Sequence, residues 1–282
     1  MSDAKDGKKK IDYGNAWEEA RALIWKSRGR LALGLSLMLV NRLLGLVLPA
    51  STKYLVDDVI GKSQPDLLWT LALVVGLGTG STAAHFVRAL GEKVRGGLKI
   101  RAIPTSEVTA ELARAEKIPL VGLEDIDRID VTVDGADEAD RELTLIKGGG
   151  GALLREKMVA TFSRRLVIIA DGAKLVETLG RFPLPVEVVR FAWKATARRI
   201  ADVAAEFGCE GNLVRIRGGE AHPYVTDNGN YILDMDCGRI PDAHSLGHML
   251  SHIVGVVETG LFIGMADALI LGRPNGVDVV TP

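Results

Sequence analysis

Cysteine is scarce: the 282 residues hold two, Cys209 and Cys237, with no CxxC pair. That excludes a disulfide framework and a zinc-ribbon site, and it makes a reducing, cytoplasmic setting the expected one. Aromatic residues are only 5% of the chain, and Trp17, Trp25, Trp69 and Trp193 are scattered, so there is no base-stacking platform for nucleic acid. Neither sign of charge is in excess, with 35 Lys plus Arg against 36 Asp plus Glu. The balance argues against a strongly basic nucleic-acid footprint. No GxxxxGK(S/T) phosphate loop occurs, which removes an ATP-driven motor or transporter. Charged residues at 25% beside hydrophobic residues at 47% exclude wholesale disorder.

Glycine is what the chain has in excess, 32 of 282 residues against roughly 7% in an average protein. Much of that excess lies in two clusters, at 76–80 and 148–151. The chain also divides by texture. Leu31–Ala50 carries a single charge, Arg42, and as a helix it is long enough to cross a bilayer core of about 30 Å. Lys26, Arg28 and Arg30 before it fit the cytoplasmic end of a span. Asn41 and Arg42 favour the competing reading, a buried soluble helix. With the following Ser51–Lys62 (STKYLVDDVIGK), residues 1–73 resemble the first transmembrane segments of an ATP-binding-cassette exporter, here without the later spans. Membrane association through residues 31–50 is the resulting expectation.

From Val74 onward the pattern changes. Apolar runs at Val74–Gly76, Lys99–Ile103, Ile129–Asp134, Leu143–Ile146 and Leu166–Ala170 read as strands. Helical patterns at Ala83–Val94, Glu107–Ala115 and Ala152–Ser163 alternate with them. Such alternation predicts an α/β fold with a largely parallel sheet and helices on both faces, Rossmann-like in layout. After Pro183 and Pro185 come a helix with apolar Phe191, Ala195 and Ile200, then strands at Leu213–Ile216, Tyr224–Thr226 and Tyr231–Met235. Asp227-Asn-Gly-Asn between the last two is a hairpin turn signal. This part reads as a smaller α+β domain over 182–257. The α/β domain then comprises 74–181 and 258–282, closing with a strand at Ala268–Leu271. Residues 1–73 form an extra hydrophobic helical segment.

Three motifs carry chemistry. In Gly76-Leu-Gly78-Thr79-Gly80-Ser81-Thr82, glycines between a strand and a helix let backbone amides approach an anion at a helix N-terminus, and three hydroxyls add donors. The spacing is not GxGxxG, so a phosphate fits better than a dinucleotide. In Asp134-Gly135-Ala136-Asp137-Glu138, two carboxylates follow a strand at the sheet edge where α/β folds bind ligands. Asp137 as a simple turn cap is the bland alternative. In Lys147-Gly148-Gly149-Gly150-Gly151, a row of amides beside a lysine can stabilise an oxyanion. Glu156, in the early turns of the next helix, can serve as a general base, although alone it reads as a surface carboxylate. Lys174, after Ala-Asp-Gly-Ala, reads alone as a solvated lysine. His244, His248 and His252 share one helix face, with no carboxylates placed to complete a metal site.

Taken together, GLGTGST, DGADE, IKGGGG with REK, ADGAK and GRFPLPVEV resemble the ribose-5-phosphate isomerase A family in order and spacing. VTDNGNYILD (225–234) and LGRPNGV (271–277) extend the likeness over about 74–282. The resemblance implies interconversion of ribose 5-phosphate and ribulose 5-phosphate, in the non-oxidative pentose phosphate pathway, with no metal and no cofactor. It implies that Glu156 moves a proton between C1 and C2 through an enediolate, with Asp134, Asp137 and Lys147 assisting ring opening and stabilising charge. Thr79, Gly80, Ser81, Thr82, Gly135, Ala136, Gly148, Gly149, Gly150 and Lys174 would bind the sugar phosphate. A homodimer through the isomerase region is the expected assembly. The alternatives are a non-catalytic sugar-phosphate sensor on the same fold and a non-functional fusion fragment. The joint presence of the base and its three partners favours the enzyme.

Overall fold

The computed structural model describes residues 73–282 apart from residues 210, 212 and 275. The exporter-like stretch, and with it the span expected over Leu31–Ala50, lies outside the described residues. Among the described residues, no helix is long and apolar enough to cross a membrane.

The chain runs β1 (Leu73–Leu77), α1 (Ser81–Arg95), β2 (Ile100–Pro104), α2 (Glu107–Ala115), β3 (Val131–Asp134), β4 (Glu138–Ala139) and β5 (Leu145–Ile146). It continues through α3 (Leu153–Thr161), β6 (Leu166–Asp171), β7 (Leu184–Val188), α4 (Trp193–Glu206), β8 (Leu213–Ile216) and β9 (Tyr231–Asp236). Last come α5 (Ala243–Ser251), β10 (Val256–Thr259), β11 (Leu261–Phe262), β12 (Ala268–Arg273) and β13 (Gly276–Val280).

The main sheet has the order β2-β1-β3-β6-β12-β13. Its first five strands pair in parallel, and β13 closes the edge antiparallel to β12. Side-chain alternation decides which helix covers which face. Val75 and Leu77 of β1 pack with Val87 of α1 and Ala113 of α2. Val74, pointing the other way, packs with Ile103, Ile129 and Val159 of α3. Helices therefore cover both faces, which is why these strands are apolar throughout rather than alternating. The α/β reading holds.

A second sheet, in the order β10-β7-β9-β8, is antiparallel throughout. Leu184, Val186 and Val188 of β7 pack there with Ile200 of α4 and with Leu246 and Leu250 of α5. A third, small sheet of β11-β5-β4 delivers Lys147 directly after β5, where its N–H donates to Gly260 O at 2.8 Å.

Two expectations need correction. No regular strand forms over Tyr224–Thr226; a single antiparallel bridge joins Val225 to Tyr231. The Thr226 hydroxyl accepts from Asn228 N and Asn230 N and donates to Glu187, so the chain curls into a turn instead of extending. The second concerns β7, hidden in the sequence by Pro183 and Pro185. Pro185 lacks an N–H, yet its carbonyl keeps a place in the ladder by accepting from Gly260 N at 2.7 Å. Strand β13 was also unforeseen: the sequence reading closed the domain with the strand at Ala268–Leu271, whereas from Gly276, at φ 149°, the chain runs back along β12.

The core of the parallel sheet sets the first test. Ile168 on β6 is fully buried among Leu145, Leu166, Phe262 and Leu269. Ile168→Ala is expected to lower the unfolding free energy by about 2–5 kcal/mol in a urea titration. Val277→Ala on the exposed edge strand should lower it by less than about 1 kcal/mol. Equal losses would contradict this account of the core.

Candidate active site

The parallel strands β1, β3 and β6 end at one edge of the sheet, and the motifs follow from those ends. Strand β1 runs into Gly78, whose N–H donates to Val133 O at 2.9 Å. A Cβ on Gly78 would lie 2.1 Å from Asp134 Oδ1 and 2.5 Å from its Cα, so glycine is what lets the loop rest on that aspartate. The next residue uses the contact: Thr79 N donates to Asp134 Oδ1 at 3.1 Å. Gly135 N donates to the same oxygen at 2.7 Å. The Thr79 hydroxyl turns away, into a cluster with the hydroxyls of Thr105, Ser106 and Thr109 at 2.8–3.2 Å. Thr79 thus offers backbone and methyl to the site, while its hydroxyl is engaged elsewhere. Thr105 and Ser106, which sequence reasoning did not single out, follow β2 at its carboxyl end.

Lys147 is the centre of the buried chemistry. Its ammonium donates to Gly135 O at 2.6 Å and lies 3.0 Å from Asp134 Oδ2 and 3.3 Å from Glu156 Oε2. All three side chains are buried. The approach to Glu156 is electrostatic only, since Glu156 Oε2 has no hydrogen-bond partner. Burial pushes Glu156 up to about 8; the Lys147 ammonium opposes that rise and the Asp134 carboxylate adds to it. Burial raises Asp134 as well, again against the pull of Lys147. For Lys147 burial acts downward, but Asp134 and Glu156 outweigh it and the ammonium is held above its ordinary value. At neutral pH the site therefore holds a firmly protonated lysine and a glutamate that exchanges protons easily.

Asp137 reaches this group from the other side, through the glycine run. Gly149 N donates to Asp137 Oδ2 at 2.7 Å, and a Cβ on Gly149 would lie 2.6 Å from Oδ1, so the loop can wrap the carboxylate only as glycine. Gly149 and Gly150 are exposed, whereas Gly148 and Gly151 are buried. Gly149 N–H is thus engaged by the carboxylate, and Gly151 N donates within the run to Gly148 O at 2.9 Å.

The residues expected to bind the phosphate lie on the same sheet edge. Gly80, at φ 107°, turns the chain into α1, and the exposed Ser81 and Thr82 open that helix with no acidic residue in its first turn. Lys174 follows β6 in a short 3-10 turn, its ammonium 5.7 Å from the centre of the Phe182 ring. Ala136 packs against the core beside Leu175 and Met265. Asp134, Lys147 and Glu156 are thus in direct contact, and Asp137 joins through Gly149. Ser81, Thr82 and Lys174 share their edge without touching them. On α5, His252 Nδ1 lies 2.7 Å from His248 O, a local helix contact.

Sequence reasoning missed Arg155 and Arg217. Arg155 ties α3 to the turn at 227–228, with Nε 3.0 Å from Asn228 Oδ1 and Nη1 2.9 Å from Glu107 Oε1. Arg217 contacts the glycine run from the second sheet. Neither contact has a local sequence signal, because the partners are far apart along the chain.

A family model for ribose 5-phosphate isomerase A (phosphoriboisomerase A) matches residues 101–276. The chain is 56% identical over 206 residues to the ribose-5-phosphate isomerase A of Parvibaculum lavamentivorans, covering 73% of this chain and 89% of that one. Among solved structures, it is similar to the ribose 5-phosphate isomerase A of Methanocaldococcus jannaschii, with TM-score 0.68 and 40% identity over 74% of this chain and 91% of that one. A D-ribose-5-phosphate isomerase solved in complex with phospho-erythronic acid matches with TM-score 0.69, also at 40% identity, over the same shares of the two chains. The chain belongs to the ribose 5-phosphate isomerase A family.

Proposed function

We propose that this chain interconverts ribose 5-phosphate and ribulose 5-phosphate, the aldose–ketose isomerisation of the non-oxidative pentose phosphate pathway. Membership of the family supports the reaction. One observation carries the assignment of the base: Glu156 is buried, pushed up to about 8, and its Oε2 lies 3.3 Å from the Lys147 ammonium without a hydrogen bond.

In the open-chain aldose, Glu156 takes the proton from C2. The C–H electron pair becomes the C1–C2 double bond, and the aldehyde π pair moves onto O1, giving the enediolate. Charge builds up on O1, where the Lys147 ammonium and the free Gly150 N–H favour it. A proton then passes from O2 to O1, with Lys147 and Asp134 as the exchanging pair. Glu156 returns its proton to C1, and the ketone forms at C2. Asp137 and Asp134 are the acids and bases available for opening the furanose ring. The phosphate would lie at the N-terminus of α1, where Ser81 and Thr82 add hydroxyl donors and the helix dipole favours an anion. Lys174 offers a counter-charge from the neighbouring strand end.

The proposal includes a cytoplasmic isomerase region, and two free, buried cysteines suit a reducing compartment. It also includes a homodimer, for which exposed Phe191 and Val254, beside an apolar cavity of about 650 Å³, supply a surface.

Two experiments test the assignment. Glu156→Gln keeps the shape but cannot accept a proton. It is expected to lower kcat by a factor of at least about 100 with KM little changed, measured on ribose 5-phosphate. Retention of more than about a tenth of wild-type kcat would place the base elsewhere. The second is a pH profile. The base must be ionised to act, so kcat/KM should fall about tenfold per unit below a pKa of about 8 and level off above it. A profile flat from about pH 6 upward would indicate an ordinary carboxylate instead.

A further inference from the structure

Four consecutive glycines have more backbone freedom than any other sequence, and their use as aimed donors requires something to hold them still. Within the run, one bond does so, Gly151 N to Gly148 O at 2.9 Å. The other restraint arrives from the second sheet. Arg217 lies one residue beyond β8, and its backbone is fixed on both sides, with Arg217 N donating to Ile232 O and Arg217 O accepting from Tyr224 N. Its guanidinium makes a two-pronged pair with Asp234, Nε to Oδ2 at 2.9 Å and Nη2 to Oδ1 at 2.5 Å. The remaining nitrogen, Nη1, donates to two glycine carbonyls, Gly148 O at 2.8 Å and Gly149 O at 3.1 Å. Asp234 thus fixes the plane of the guanidinium, and the guanidinium fixes two successive peptide groups.

The consequence follows from peptide geometry. Among the described residues there are no cis peptide bonds, and in a trans peptide the carbonyl and the following N–H point in opposite directions. With the Gly148 carbonyl held toward Arg217, Gly149 N–H faces away from it, and it meets Asp137 Oδ2 at 2.7 Å. With the Gly149 carbonyl held as well, Gly150 N–H is also aimed away from Arg217. Among the described residues, it has no acceptor. Gly150 lies beside the loop after β1: a Cβ on it would be 3.4 Å from the Thr79 methyl. The free donor therefore borders the space between the glycine run and the loop after β1.

We propose that Arg217, clamped by Asp234, is a positioning residue for catalysis: through the Gly148 and Gly149 carbonyls it orients Asp137 by way of Gly149 N–H and aims Gly150 N–H at the oxyanion of the enediolate. The proposal rests on the isomerase reading above. Arg217 touches no reacting atom; it acts through the loop. Its planar fork is what the arrangement needs, because a lysine is a point charge that cannot grip a carboxylate with two nitrogens and two carbonyls with a third.

The test uses full-length Arg217→Lys and Arg217→Ala, with kcat, KM and thermal melting measured on ribose 5-phosphate. Arg217→Lys keeps the charge and most of the packing. Its kcat is expected to fall about tenfold or more while KM stays within about threefold, the pattern of a lost transition-state interaction. Arg217→Ala should fall further and recover part of its kcat on addition of guanidinium ion at millimolar concentration. A purely structural role would not respond to that addition. Wild-type kcat in Arg217→Lys would overturn the proposal, as would a loss confined to KM or to the melting temperature. If Arg217→Ala does not fold, the Lys variant alone decides. An inactive wild type would instead sink the isomerase reading, so the two failures are distinguishable.

Discussion

The Lys147 ammonium, buried between Asp134 and Glu156, is the contact on which the rest of the site depends. A single buried cation or carboxylate is very costly, and only a well-packed group of opposite charges with further hydrogen bonds makes burial tolerable. Three separate elements must meet for that to happen. Asp134 ends β3, Lys147 follows β5, and Glu156 stands in the first turn of α3. Gly135 adds both an N–H to Asp134 and a carbonyl to Lys147, so the turn between the two carboxylates is itself part of the group. The loop after β1 contributes Thr79 N, which binds the activity of the first strand to the same aspartate.

From this arrangement comes a division of labour. One ammonium cannot fully compensate two carboxylates in a dry pocket, so part of the cost appears as raised carboxyl pKa values, that is weaker acids, rather than as lost structure. Asp134 accepts two backbone N–H groups and sits closer to the ammonium. Glu156 has neither advantage on Oε2 and is pushed up to about 8. Burial raises both carboxyls, and Glu156, with fewer partners, keeps an oxygen without a hydrogen bond. The second sheet contributes from outside, through Arg217 on the glycine carbonyls and through the Arg155 contacts to the turn at 227–228.

How much of this was legible in the sequence depended on whether the signal was local. The strand–glycine–helix motif at 73–82 and the acids after β3 could be read directly, because chain direction alone places them at the carboxyl edge of a parallel sheet. Helix α2 was readable to its ends, with Ser106 supplying the N-cap by accepting from Thr109 N. Glu156 was not legible alone: on a short helix it has the look of a surface carboxylate, and only tertiary packing buries it. The engagement of the Thr79 hydroxyl was hidden for the same reason, since its partners lie on the loop after β2 and on α2. Strand β7 was masked by its prolines. Arg217 was invisible because its partners at 148–149 lie almost 70 residues earlier, with no periodicity linking them.

The central claim is that Glu156 is a buried base pushed up to about 8 by its burial, with the Lys147 ammonium opposing the rise and Asp134 adding to it. Its most direct test is a carbon-13 NMR titration of the glutamate side-chain carboxyls, with the Glu156 signal assigned by its absence in Glu156→Gln. The account predicts a midpoint of about 8 for that carboxyl. A midpoint near the ordinary glutamate value of about 4.3 would contradict it.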